Sequence, residues 1–258
     1  MRGTSLLQTG AGAEGAIMVA QTLAFVAIAL AAVVLIYYLA VYVRDILVEP
    51  YRDRWRYLVV GVAAAVVYGV AGLAEVFTDL ETASTFRIGA TLFFFLFSAV
   101  GVRALYGSVQ VDRGGFDTGD VPTWAWYVVL GLFIVAWWGA YLFASPDLVT
   151  LVETVGLAGA VSYTLVFAVL TVRDAEGTSI AAVVRQFVPA LLSFAAVVVV
   201  EQIGQYTPVD PAVVVGVELV GTVLVGAFLF TTAVAIRQQS GELSRLYDQT
   251  TWRQQKLE

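Results

Sequence analysis

Five charged side chains lie inside the long apolar runs of this sequence on the same side of the predicted bundle, where a charge costs about 3 kcal/mol or more unless it is paired. Four are carboxylates, Glu75, Glu153, Glu201 and Glu218, and the fifth is the cation Arg87. Carboxylates at such depth serve as proton relays, ion sites or ligand sites in membrane proteins. These residues are therefore the main candidates for a functional site.

Three of the carboxylates share a helix face with other small or polar side chains. Because lipid cannot satisfy polar groups, we expect these faces to point into a helix bundle. By helical spacing they comprise Tyr68, Gly72 and Glu75; Gln186, Pro189, Ser193, Glu201 and Gln205; and Glu218 with Thr222.

This pattern predicts an outward-facing acidic cavity that holds Glu75, Glu201 and Glu218, with Arg87 as their counter-charge. Two alternatives stay open at this point. Glu75 and Glu201 could be solvated residues at the rim of the bundle, and Glu153 could simply reach the membrane interface.

The composition excludes several kinds of chemistry. The chain contains neither cysteine nor histidine, which removes thiolate nucleophiles, histidine-based acid–base catalysis and the usual zinc and copper sites. We therefore predict no catalytic residues and no metal centre. A formal net charge of −6 argues against a nucleic-acid partner. The acidic, lysine-poor composition is typical of salt-loving prokaryotes, archaea among them.

Hydrophobic residues make up 60% of the 258 residues and charged residues only 13%, which is incompatible with an ordinary soluble domain. Runs of about 20 apolar residues can cross a bilayer as helices, and the sequence has seven of them. The predicted fold is an all-α, seven-transmembrane helix bundle, with a retained first helix and one domain over residues 17–236. The predicted spans are Ile17–Val43, Tyr57–Phe77, Phe86–Tyr106, Trp124–Ala144, Leu148–Val172, Ile180–Gly204 and Pro211–Ile236.

Arginine and lysine are distributed unevenly between the two sides of these spans. Twelve fall on the side that holds the C-terminal tail, whereas only Arg2 and Arg87 fall on the other side. The positive-inside rule then predicts an extracellular N-terminal segment over residues 1–16 and a cytoplasmic tail over residues 237–258, in the plasma membrane. Residues Ser240–Glu258 are compatible with a helix that would extend the last span.

Two adjacent tryptophans, Trp137 and Trp138, lie deep in the fourth span. Consecutive residues on a helix point about 100° apart, so at most one of the two is expected to line an interior site. We assign Trp138 to the candidate site as a secondary member.

The third span resembles the corresponding helix of the microbial rhodopsin family. Arg87–Phe93 reads RIGATLF where that family has a pattern like R-x-x-D-W-L-F, with Ala90 at the counter-ion aspartate. In the sixth span Phe194 stands at the place of a tryptophan that packs on the retinal ring, ahead of Ile203 and Gly204. In the seventh span the family has the pattern D-x-x-x-K. Glu218 occupies the position of its aspartate and Thr222 that of its lysine.

The resemblance implies a seven-helix fold but not the family's photochemistry. Retinal binds there through a lysine Schiff base, and Thr222 replaces that lysine. The chain has a single lysine, Lys256, outside every span. We therefore expect no covalent retinal and no resident cofactor, while non-covalent binding of a carotenoid or lipid stays open.

Two functions follow as hypotheses. The first is a retinal-free, opsin-like sensor or accessory subunit, whose cavity would detect a ligand, a cation or pH and whose cytoplasmic side would contact a protein partner. The alternative is a proton- or cation-coupled transporter or channel that uses the same carboxylates. An intramembrane enzyme is disfavoured, and homo-oligomers stay open.

Overall fold

The computed structural model describes residues 4–43, 55–78, 81–112, 123–143, 145–174, 176–206 and 210–254. Over these residues the chain forms seven α-helices and no strand, so the predicted all-α class is confirmed. The helices are α1 (Thr4–Tyr38, continued by a π-helical turn over Leu39–Val43), α2 (Trp55–Phe77), α3 (Glu81–Asp112), α4 (Thr123–Phe143), α5 (Pro146–Asp174), α6 (Ser179–Tyr206) and α7 (Pro211–Gln254).

Within the described residues, six helices are long and apolar enough to cross a membrane. Their apolar stretches run over 22 to 28 residues, slightly more than the 20 or so that a bilayer requires. Helix α4 contributes a shorter apolar stretch, Gly131–Phe143. The helices therefore indicate a multi-pass membrane protein. The apolar stretches of α1, α2, α3, α5, α6 and α7 are Gly15–Tyr42, Arg56–Phe77, Thr82–Gly107, Leu148–Asp174, Ile180–Glu201 and Ala212–Gln239.

Local sequence signals fix the starts of the helices that carry the acidic residues. Asp210 caps α7, because its carboxylate accepts a hydrogen bond from the backbone N–H of Ala212 at 2.9 Å, and Pro211 occupies the first helical position. Thr178 caps α6 in the same way, through its hydroxyl and the N–H of Ala181 at 3.2 Å. These caps fix the residues at which α6 and α7 begin.

Two helices extend beyond the spans predicted for them. Helix α1 begins at Thr4, well before the predicted start at Ile17, because the intervening residues are helix-compatible although less apolar. Helix α7 continues past its apolar stretch to Gln254. Residues 44–54 and 113–122, which follow the first and third predicted spans, and the last residues 255–258 lie outside the described residues.

Helix α1 packs between α2 and α7, while α3 packs against α2, α5 and α6. Close approach of α1 depends on glycines in its neighbours. A Cβ at Gly69 would lie 2.8 Å from the carbonyl oxygen of Phe25, and one at Gly226 would lie 3.2 Å from the backbone nitrogen of Ile28. Small residues at such crossings are a common basis of helix association in lipid. The charged residues meet in the interior formed by α2, α3, α6 and α7.

Candidate functional site

The structure brings together four of the five ionisable residues that the sequence singled out. Arg87 Nε donates to Glu75 Oε2 at 2.8 Å, and Arg87 Nη1 donates both to Glu218 Oε1 at 3.0 Å and to Glu201 Oε1. We call Glu75, Arg87, Glu201 and Glu218 the ionic cluster. It joins four helices, since its members come from α2, α3, α6 and α7 in that order.

The cluster lies near one end of the bundle and is only partly exposed. The side chain of Arg87 is 13% exposed, and those of Glu201 and Glu218 are 19% and 21% exposed, whereas Glu75 is more open at 38%. Charge-assisted hydrogen bonds of this kind are stronger than neutral ones. One guanidinium nonetheless faces three carboxylates, so negative charge is in excess when every group is ionised.

Tyr68 lies beneath the guanidinium. The carbon Cζ of Arg87 is 5.8 Å from the centre of its ring, a distance at which a cation is attracted to an aromatic face. The Tyr68 hydroxyl lies near Thr222 but outside hydrogen-bonding geometry, and it has no hydrogen-bond partner among the described residues. Tyr68 and Thr222 are both fully buried, at 1% and 2% exposure. They therefore belong to the packed interior below the cluster.

A partly enclosed cavity of about 240 Å³ lies beside the cluster. Its charged walls are Arg87, Glu201, Glu218 and Glu153. The remaining walls are mostly apolar and consist of Ile88, Thr91, Leu92, Leu157, Val198, Gly204 and Val214. The predicted acidic cavity thus has a physical counterpart, although Glu75 pairs with Arg87 outside its lining.

Glu153 reaches this cavity from α5 but forms no ion pair with Arg87. Its Oε1 accepts a hydrogen bond from Trp137 Nε1 at 3.0 Å. Trp137 is 3% exposed, and its ring rests against Gly89 of α3, where a Cβ would lie 2.9 Å from the indole. Trp138 is 41% exposed and does not line the cavity, so its assignment to the site was wrong, whereas its neighbour Trp137 reaches the site through its hydrogen bond to Glu153. The sequence could not fix the rotation of α4, because both tryptophans are compatible with an apolar helix.

We expect Trp137→Phe to lower the free energy of unfolding by about 1–2 kcal/mol, because it removes the donor to a carboxylate that is partly withdrawn from solvent. Trp138→Phe is the matched control and should change it by less than about 0.5 kcal/mol. Unfolding in mixed micelles, followed by the loss of helical circular dichroism, measures both. Equal effects of the two substitutions would contradict a specific role for the indole N–H.

Two other residues of the predicted polar face of α6 lie away from the cluster. Gln186 is exposed, so its placement in the interior was wrong, although its backbone carbonyl accepts a hydrogen bond from Thr232 Oγ1 at 2.9 Å. Ser193 is partly buried but lines neither the cluster nor the cavity. Over the fifteen residues from Gln186 to Glu201 a helical face drifts by about 60°, at 100° per residue. That drift separates the two ends of the predicted face.

Aromatic side chains close the bundle two helical turns from the ionic cluster. Three of these rings lie seven residues along their helices from a member of the cluster: Tyr68 from Glu75, Phe94 from Arg87 and Phe194 from Glu201. Their backbones are therefore about 10 Å further along the helix axes. With Phe95 they form what we call the aromatic layer, in which every member is at most 1% exposed. Phe194 is its centre, with ring centroids 4.8 Å from Tyr68, 4.8 Å from Phe94 and 5.7 Å from Phe95.

Two of the wall residues that sequence reasoning missed share a simple signal. Thr91 lies four residues after Arg87, and Leu157 lies four residues after Glu153. Each therefore shares a helix face with a charged residue of the cavity. Thr91 also donates its hydroxyl hydrogen to the carbonyl of Arg87 at 3.0 Å. Helical spacing from the charges would have found these wall residues, whereas it could not have found Trp137.

Comparisons of this chain with protein-family models, with curated proteins and with solved structures found no match.

Proposed function

We propose that this protein is a seven-span, retinal-free, opsin-like membrane sensor or accessory subunit that receives a small ligand in the cavity and signals through a protein partner. In this proposal α4 also crosses the membrane and completes the set of seven spans, the N-terminus is extracellular and the cavity opens outward. The uneven distribution of arginine and lysine along the sequence supports this orientation in the plasma membrane. No covalent retinal is involved, because Lys256 is the only lysine in the chain. We propose no enzymatic activity, since the chain has no histidine or cysteine.

The observation that carries the proposal is the aromatic layer beneath the ionic cluster. A transporter or channel needs polar groups or water along its whole path. Among the described residues, the fully buried polar side chains are all hydroxyls, namely Thr91, Ser98, Thr164, Thr171, Thr222 and Thr232. The ionic cluster and Glu153 thus lie toward one end of the bundle, above tightly packed rings. Such an arrangement favours binding and sensing over conduction.

Signalling to a partner would use the other end of the bundle. Helix α7 runs on from Gln239, the end of its apolar stretch, to Gln254. Fifteen further helical residues extend about 22 Å at 1.5 Å per residue, which is enough to project beyond the membrane. Because α7 also carries Glu218, one continuous helix connects the ionic cluster with this extension.

Flux measurements on the purified protein in liposomes test the proposal. We expect no movement of H⁺, Na⁺ or K⁺ above that of protein-free liposomes. A partner purified with the full-length protein should be lost when residues 240–258 are deleted. Flux that disappears in Glu218→Gln would establish the transporter alternative. Flux that survives this substitution would contradict both the sensor proposal and the location of its site.

A further inference from the structure

Glu153 is the one carboxylate of the cavity that has no cationic partner among the described residues. Glu201 and Glu218 both pair with Arg87. Glu153 accepts instead from the neutral indole of Trp137, which holds its carboxylate in place without neutralising its charge. Glu153 is therefore the carboxylate of the cavity wall with which a cationic ligand could pair.

Arg87 forms its ion pairs with the other three carboxylates and none with Glu153. Its Nε serves Glu75 and its Nη1 serves both Glu201 and Glu218. One positive charge is thus already shared among three negative ones before Glu153 is considered. A cavity with this excess attracts cations and repels anions, more strongly because its surroundings are partly withdrawn from water.

The shape and walls of the cavity favour an organic cation over a metal ion. Within the described residues, no three acidic side chains are arranged to hold a metal ion, since the guanidinium occupies the space between the clustered carboxylates. A volume of about 240 Å³ is below the roughly 300–1,000 Å³ of sites for drug-sized molecules. Leu92, Leu157, Val198 and Val214 supply branched apolar surface next to the acids.

We propose that the cavity binds a small alkylammonium compound whose charged nitrogen faces Glu153 and whose alkyl part packs against Leu157 and its apolar neighbours. This inference rests on the proposed function, because the ammonium compound would be the ligand that the sensor detects. Glu153 provides the selectivity for positive charge. The apolar walls provide the selectivity against hydrated inorganic cations, which would lose water there and gain only one carboxylate, Glu153, that is not already paired with Arg87.

Isothermal titration of the full-length protein in detergent with n-butylammonium chloride tests this proposal. Sodium butyrate and sodium chloride at the same ionic strength are the comparison solutes. We expect only the ammonium compound to bind, and we expect Glu153→Gln to weaken it about tenfold or more through loss of a charge-assisted contact. Asp174→Asn is the matched control, because Asp174 pairs with Tyr106 away from the cavity and its loss should not change the affinity.

Glu153→Gln keeps an oxygen that can accept from Trp137, so we expect this variant to fold. A second variant, Leu157→Phe, fills the cavity without changing its charge and should also weaken butylammonium. Binding of butyrate, binding of sodium alone, or unchanged butylammonium affinity in Glu153→Gln would each overturn the inference. Absence of butylammonium binding together with absence of flux would remove this inference and leave the proposed function standing. Flux in liposomes would remove the proposed function whether or not butylammonium binds.

Discussion

Replacing Arg87 with glutamine should lower the free energy of unfolding by about 3 kcal/mol, because it leaves three neighbouring carboxylates without their shared cation. This loss of stability is at the lower end of the range expected when one partner of a buried ion pair is removed. Glu75 is 38% exposed, so water can still reach part of the cluster. Unfolding in mixed micelles, followed by helical circular dichroism, measures the change. The same substitution should loosen the contacts among α2, α3, α6 and α7.

Arg173→Gln is the matched control for this prediction. Arg173 is 80% exposed and lies 3.6 Å from its chain neighbour Asp174, so its loss should cost less than about 0.5 kcal/mol. Combining Arg87→Gln with Glu201→Gln and Glu218→Gln removes two of the three uncompensated charges and should restore part of the lost stability. If Arg87→Gln is as stable as Arg173→Gln, the ionic cluster does not hold the helices together.

The grouping of the charges was predictable because lipid gives polar side chains few places to go. Each acid lies on an apolar helix, and the only environment that can satisfy it within the membrane is another polar group. Glu75, Glu201 and Glu218 could therefore be expected to converge on Arg87, the one cation at their level. The structure places all three carboxylates within hydrogen-bonding distance of the Arg87 guanidinium.

Rotations of individual helices were not predictable in the same way. Helix α4 is apolar on every side, so nothing in its sequence separates the inward Trp137 from the outward Trp138. For α6 the error came from extending one face across fifteen residues, over which Gln186 drifts away from Glu201. Both outcomes depend on the packing of neighbouring helices, such as the space that Gly89 leaves for the indole of Trp137.

The aromatic layer escaped sequence reasoning because phenylalanine in an apolar helix gives no signal of its depth or direction. Its position follows only after the charged residues are located, since Tyr68, Phe94 and Phe194 each lie two helical turns from a member of the ionic cluster. At the level of this layer the helices are held together by packed aromatic rings and not by ion pairs.

Phe194→Ala should therefore lower the free energy of unfolding by about 3 kcal/mol, because it opens a cavity where Tyr68, Phe94 and Phe95 meet. Phe143→Ala is the matched control: this ring is 88% exposed, and its loss should change stability by less than about 0.5 kcal/mol. The same unfolding assay in mixed micelles measures both variants.

A second readout for Phe194→Ala connects packing with function. If the aromatic layer is what prevents conduction, liposomes that contain this variant should pass protons faster than those that contain the wild-type protein or Phe143→Ala. The ionic cluster would still attract cations in this variant, and the missing ring would give water a route past Thr222 and Tyr68. A destabilised variant that stays proton-tight would show that the layer supports the fold without forming the barrier, and the barrier would then have to lie deeper, among the apolar side chains around Phe187.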